Sequence, residues 1–216
     1  MPIARCTNPD TLARDINKPT FCYHLWRFLE DQPESKLDTA SSPFIYLPDK
    51  IYVYSSAVVT FHAPSDLCGT GGMCCERIHT VASWRHGGPQ YNCIFVNTDD
   101  LELGMHGLNV AHARLFFSVT MNHVKFPCAL VHWFSRVGDF PDKNTGMWVV
   151  KPDVLDNGQP RTAMIHLDTI VCLSHLLPIY SDKQAPRGMK YTDSLDTFSE
   201  FYVSKFTDYH AFEIAN

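Results

Sequence analysis

No apolar run in this 216-residue chain approaches the roughly 18 residues that a membrane-spanning helix needs, so no membrane association is expected. The N-terminal MPIARCTNPDTLARD carries no apolar block of the secretory kind, which argues against export. Neither sign of charge prevails: 18 Lys and Arg against 23 Asp and Glu leave −5, so any attraction to phosphate must be local. Nucleotide-binding loops are missing, because GTGGM lacks both the G-K-[ST] ending of a phosphate cradle and the strand–helix setting of a dinucleotide fingerprint. No serine lies in G-x-S-x-G and no cysteine pair is spaced C-x2-C. Internal repeats and low-complexity tracts are also lacking.

What is present is a foldable mixture, with 45% apolar and 12% aromatic residues, enough to build a core. Its eight cysteines are expected to remain thiols in a reducing, intracellular compartment, several of them as small hydrophobes within PCALV and IVCL. Residues 1–33 read as helical. Asn8 or Asp10 can cap a short helix in NPDTLARDI, and Phe21, Leu25, Phe28 and Leu29 form one apolar stripe after Pro19. PESKLDTASSP then reads as a polar connector.

Residues 50–182 read as a β-rich core of about six to eight strands separated by turns. KIYVYSSAVVTFHAP reads as one strand, SDLCGTGGMCC as a loop, and RIHTVASW and QYNCIFVNT as further strands. In NVAHARLFFSV, strict alternation puts Ala111, Ala113, Leu115, Phe117 and Val119 on one face, with His112, Arg114, Phe116 and Ser118 on the other. TAMIHLDTIVCLSHLLPIY reads as a strand with a helical turn or second short strand behind it. Residues 190–216 read as a helix over TDSLDTFSEFYVSKF and a tail packed on the core. The expected class is α+β: an antiparallel sheet or small barrel flanked by N-terminal and C-terminal helices.

The most chemistry-like stretch is FPCALVHWFSRVGDFPDKNTGMWVV, Phe126 to Val150. Alternation predicts a strand to Val137, a turn over GDFPDKNTG and a returning strand, so its polar residues decorate a hairpin. Cys68, Cys74, Cys75, His79 and His86 supply zinc-type ligands, but C-x5-C-C-x3-H-x6-H matches no zinc module. His166 and Asp168 form the H-x-D of an iron/2-oxoglutarate-type oxygenase, without an obvious third ligand. No metal and no cofactor are therefore expected. Trp84, Trp133 and Trp148, with Tyr91, could line an aromatic pocket of the methyl-lysine-reading kind. Arg77, Arg85, Arg114 and Arg136 are the candidates for phosphate contact.

Seven segments carry a resemblance that covers nearly the whole chain in order: NKPTFCYHLWRFLEDQ, YSSAVVTFHAPSDLCGTGGM, YNCIFVNTDDLELGMHGLNVAHARLFFSV, FPCALVHWFSRVGD, TGMWVVKPD, IHLDTIV and TDYHAFEIAN. They resemble the C-terminal accessory region of transposon-derived proteins of mushroom-forming fungi, of the Plavaka and Kyakuja-Dileera-Zisupton type. The resemblance implies a domain that follows a transposase core and lacks its catalytic carboxylates. It implies a non-catalytic, intracellular and nuclear role, with nucleic acid or a transposase or chromatin protein as partner. Cys74 and Cys75 stand where the family's GGM-x-x-E-R segment has a basic pair, which weakens any phosphate contact there. A chain starting directly in this region implies a truncated element. Alternatives are a metal-dependent oxygenase and a non-functional relic fragment.

Overall fold

The first helix begins where its cap permits. Asn8 Oδ1 accepts the Thr11 N–H at 2.7 Å, and Pro9 opens α1 (Pro9–Asp15) without a lost backbone bond. Asn17, at φ 52, adopts the left-handed conformation that asparagine tolerates and redirects the chain into α2 (Phe21–Glu30). The stripe Phe21, Leu25, Phe28 and Leu29 is buried as its spacing predicts, together with Cys22. It packs on Phe117, Val119, Phe126 and Cys128 of the sheet beneath.

The computed structural model describes residues 5–32, 47–63, 71–180 and 187–215. The connector PESKLDTASSP, most of the loop after Ala63 and the start of KQAPRGMK lie outside them. The strands are β1 (Arg5–Thr7), β2 (Ile51–Tyr54), β3 (Ser56–His62), β4 (Met73–Val81), β5 (Gln90–Tyr91), β6 (Cys93–Asn97) and β7 (Leu108–Met121). They continue as β8 (Val124–Arg136), β9 (Val149–Pro152), β10 (Thr162–His166), β11 (Ile170–Ser174), β12 (Leu176–Pro178) and β13 (Phe201–Val203). Two short helices, α3 (Ser194–Thr197) and α4 (Tyr209–Ile214), lie near the C-terminus.

The β7–β8 hairpin is the spine. Asn122 and His123 join its strands with φ of 49° and 65°, the two-residue turn whose twist matches antiparallel strands. β6 pairs with the first part of β7 and β2 with the last part. On the far side of β8, β10 covers residues 128–132 and β9 covers 134–136. With β1, β11, β12 and β13 this makes a ten-stranded, wholly antiparallel sheet curled into a half-barrel. The class is α+β with a β-rich core, as expected.

Three expectations need correction. KIYVYSSAVVTFHAP is two strands in two sheets, because β3 leaves the main sheet at Ser55 to pair with β4 and β5. Cys74 and Cys75 belong to strand β4, which starts at Met73, and not to the preceding loop. The C-terminal helix stops after one turn: α3 ends at Thr197, Phe198 is extended, and FYV becomes β13 between β9 and β12. Phe201 and Val203 are both fully buried, so alternating burial on an open sheet edge outweighs the helical spacing of Leu195 and Phe198.

Gly107 closes the loop from β6 to β7. Its carbonyl accepts the Thr98 N–H at 3.0 Å, the Asp99 N–H at 3.2 Å and the Thr98 hydroxyl at 3.1 Å. A methyl group there would drive into the backbone carbonyl oxygens of Asp99 and Glu102. Gly107→Ala is therefore expected to destabilise the fold by about 1–3 kcal/mol. The urea midpoint measures this, and a midpoint equal to the parent's would show that the loop yields freely.

Candidate functional site

Strict alternation fails on β7 at one residue. Ala113 pairs with Val131 and Leu115 pairs with Leu130, so Arg114 is the extra residue of a β-bulge. The faces exchange there. Ala111, Ala113 and Phe116 share one core cluster, whereas Leu115, Phe117 and Val119 share another beneath α2. The single alternating face read from sequence is thereby corrected. An unpaired bulge residue re-aims its side chain, and Arg114 lines a cleft of about 640 Å³.

This cleft is walled by Leu12, Ile16 and Lys18 at the α1 end, by Tyr54 and Ser55 at the end of β2, by Thr80 to Ser83, and by His132 of β8. Arg114 lies 4.3 Å from the centroid of the Tyr91 ring, which holds the guanidinium in place. Lys18 is partly buried, and burial first and the Arg114 charge second lower its pKa. Burial chiefly, then Arg114, Lys18 and His112, hold the His132 imidazole down to about 3. His112, edge-on to His132 with ring centroids 6.4 Å apart, is held to about 4 by burial and then Arg114. Both rings are thus neutral at pH 7, and Nε2 of His132 is buried with no hydrogen-bond partner among the described residues.

The charge balance is one-sided. Asp15, the lining carboxylate, is taken by Arg5 at 2.6 Å. Among the described residues neither Lys18 nor Arg114 is ion-paired. Two partly desolvated cations without a counter-charge favour an anionic ligand. A second cleft, about 520 Å³, shares Arg114 and Tyr91 with the first and is lined by Trp84, Pro89, Gln90, His112, Leu195 and Asp196 among others. Trp84 packs against His79 with ring centroids 4.0 Å apart and planes tilted by 49°, and the Arg85 guanidinium lies over its indole, 5.3 Å from the centroid.

The four arginines divide. Arg85 stands at the second cleft through Trp84, and Arg77, whose guanidinium donates to Ser56 Oγ at 3.1 Å, acts with Arg85 to lower the His79 pKa behind the larger effect of burial. Arg136 is elsewhere: it donates to the Met105 carbonyl at 2.8 Å, lies 5.6 Å over Trp148, and pins two loops together. Its own cleft also holds Asp139, Asp153 and Arg161, with Arg161 paired to Asp153 at 3.4 Å. The tryptophans also scatter. Trp148 is buried, Trp133 packs on the core beside Val131, and only Trp84 faces a cleft of this basic side.

The metal candidates do not converge among the described residues, where no group of three or more His, Cys, Asp or Glu is placed to hold an ion. Cys74 and Cys75 are neighbours on β4 and so face opposite ways, and Cys68 lies outside the described residues. His166 caps the 3-10 turn after β10 by accepting the Asp168 N–H at 3.3 Å, while Asp168 stays exposed. Elsewhere burial alone pushes the Cys128 thiol up to about 12. No described helix is long and apolar enough to cross a membrane. Comparison with protein-family models, curated proteins and solved structures finds no match to this chain.

Lys18 escaped the sequence reading because it follows a helix like any solvated lysine. Arg114 carried a signal, being a charge inside an otherwise apolar strand.

Proposed function

We propose that this chain is a non-catalytic accessory domain of a transposable-element protein, intracellular and nuclear, that binds nucleic acid. The observation that carries the reading is the pair of uncompensated cations, Arg114 and Lys18, in the cleft of about 640 Å³. The segment resemblance to transposon-derived proteins supports the context. The net charge of −5 repels a polyanion at long range, so attraction has to be concentrated locally, at the cleft that Arg114 and Lys18 line. His166 and Asp168, bound up in a turn, support a binding role over an oxygenase.

The test is fluorescence anisotropy of labelled oligonucleotides across a salt series. The double variant Lys18→Gln, Arg114→Gln is expected to bind about 10-fold or more weakly, with a log–log salt slope shallower by about 1–2. Thermal melts confirm that the variant is folded. A parent protein with no salt-dependent binding to any oligonucleotide would refute the reading.

A further inference from the structure

We infer that the nucleic acid enters as an unpaired strand, its backbone crossing the Arg114–Tyr91 ridge with one base on either side. This rests on the nucleic-acid reading above and specifies its substrate. Arg114 and Tyr91 line both clefts, so they form a divide between two concavities of about 640 and 520 Å³. Each is within the range that encloses a small organic group. A duplex keeps its bases stacked inside a convex cylinder and offers nothing to fill such hollows, whereas an unpaired strand can turn its bases outward.

The chemistry on each side suits a base. Tyr54, Leu12, Ile16 and Leu130 give the first cleft apolar walls, and Thr7, Ser55 and Ser83 add polar groups to its lining. Trp84, 36% exposed at the second cleft, is backed by His79 and flanked by Arg85. A part-exposed indole held beside a cation is the kind of aromatic surface on which proteins stack the bases of single strands. Between them Arg114, lying on Tyr91, is placed for the phosphate that links the two bases. The carboxylates at hand are Asp15, already engaged by Arg5, and Asp196 in the second cleft.

The experiment compares oligothymidine and oligouridine of about 15 nucleotides with a duplex of equal length, using the whole chain at one fixed salt concentration. The unpaired strands are expected to bind about 10-fold more tightly than the duplex. Trp84→Ala is expected to remove about 10-fold of that affinity, the effect of one lost stacking contact. Trp84→Phe, which keeps a ring on His79, should retain most of it. DNA and RNA arms are read separately, since a preference for oligouridine assigns the strand as RNA. Duplex binding as tight as single-strand binding, still dependent on Lys18 and Arg114, overturns the inference and leaves nucleic-acid binding standing. Equal losses in Trp84→Ala and Trp84→Phe overturn it too. No salt-dependent binding to any of the three overturns both.

Discussion

Between pH 6.5 and pH 4 the protein is expected to lose stability steeply, because it holds two imidazoles neutral where the unfolded chain protonates them. His112 is held to about 4 and His132 to about 3, against 6.5 for a free imidazole, chiefly by burial and then by Arg114. The sign follows from linkage. Below pH 6.5 the unfolded state takes up protons that the folded state refuses, so stability falls as pH falls. Each such imidazole costs about 1.4 kcal/mol per pH unit, until the folded-state value is reached. With both rings acting, the fall approaches about 3 kcal/mol per unit near pH 5, by the same constant. Glu76 works the other way. Burial raises its pKa, so the stability it contributes is present at low pH and is lost as pH rises through its folded value.

Urea midpoints at pH 7, 6, 5 and 4 would measure the slope. The double variant His112→Gln, His132→Gln, neutral throughout, is expected to flatten most of it. Carboxylates such as Asp142, whose pKa is lowered by hydrogen bonds from Thr145, remain in that variant and account for what slope persists. A parent midpoint that does not move between pH 7 and pH 4 would mean that the two rings are not sequestered.

Phe21→Ala is expected to cost about 3–5 kcal/mol, a large part of the stability of an ordinary domain. Phe21 is 0% exposed and meets Phe117, itself 1% exposed, with ring centroids 5.5 Å apart. Removing it leaves a cavity between α2 and the sheet that Leu25 and Leu29, on the same helix face, cannot collapse to fill. The effect should reach the cleft as well. Leu12 and Ala13 of α1 pack in the same cluster as Phe21, and α1 carries the wall that ends at Lys18. Phe21→Leu should lose less than half as much. A loss under about 1 kcal/mol for Phe21→Ala would mean that the helix pair is not seated on this ring.

Where periodicity and turn chemistry are local, the chain could be read directly. Asn8 caps α1, and Phe21 to Leu29 form the buried stripe. Phe126 to Val150 is a hairpin whose turn is held by Asp142, which accepts the N–H of Asn144 and of Thr145. These features depend on neighbours a few residues away, so the residue types alone determine them.

The tertiary structure decided the rest. FYV near residue 201 fits a helix or a strand, and only the unfilled edges of β9 and β12 select the strand. The bulge at Arg114 is invisible within β7, because it exists only relative to the register of β8. Lys18, Tyr91, Arg114 and His132 come from four separate segments, and each alone reads as an ordinary helix-end or strand residue. Secondary structure is set largely by nearest neighbours along the chain. A cleft is set by which distant faces the hydrophobic core brings together.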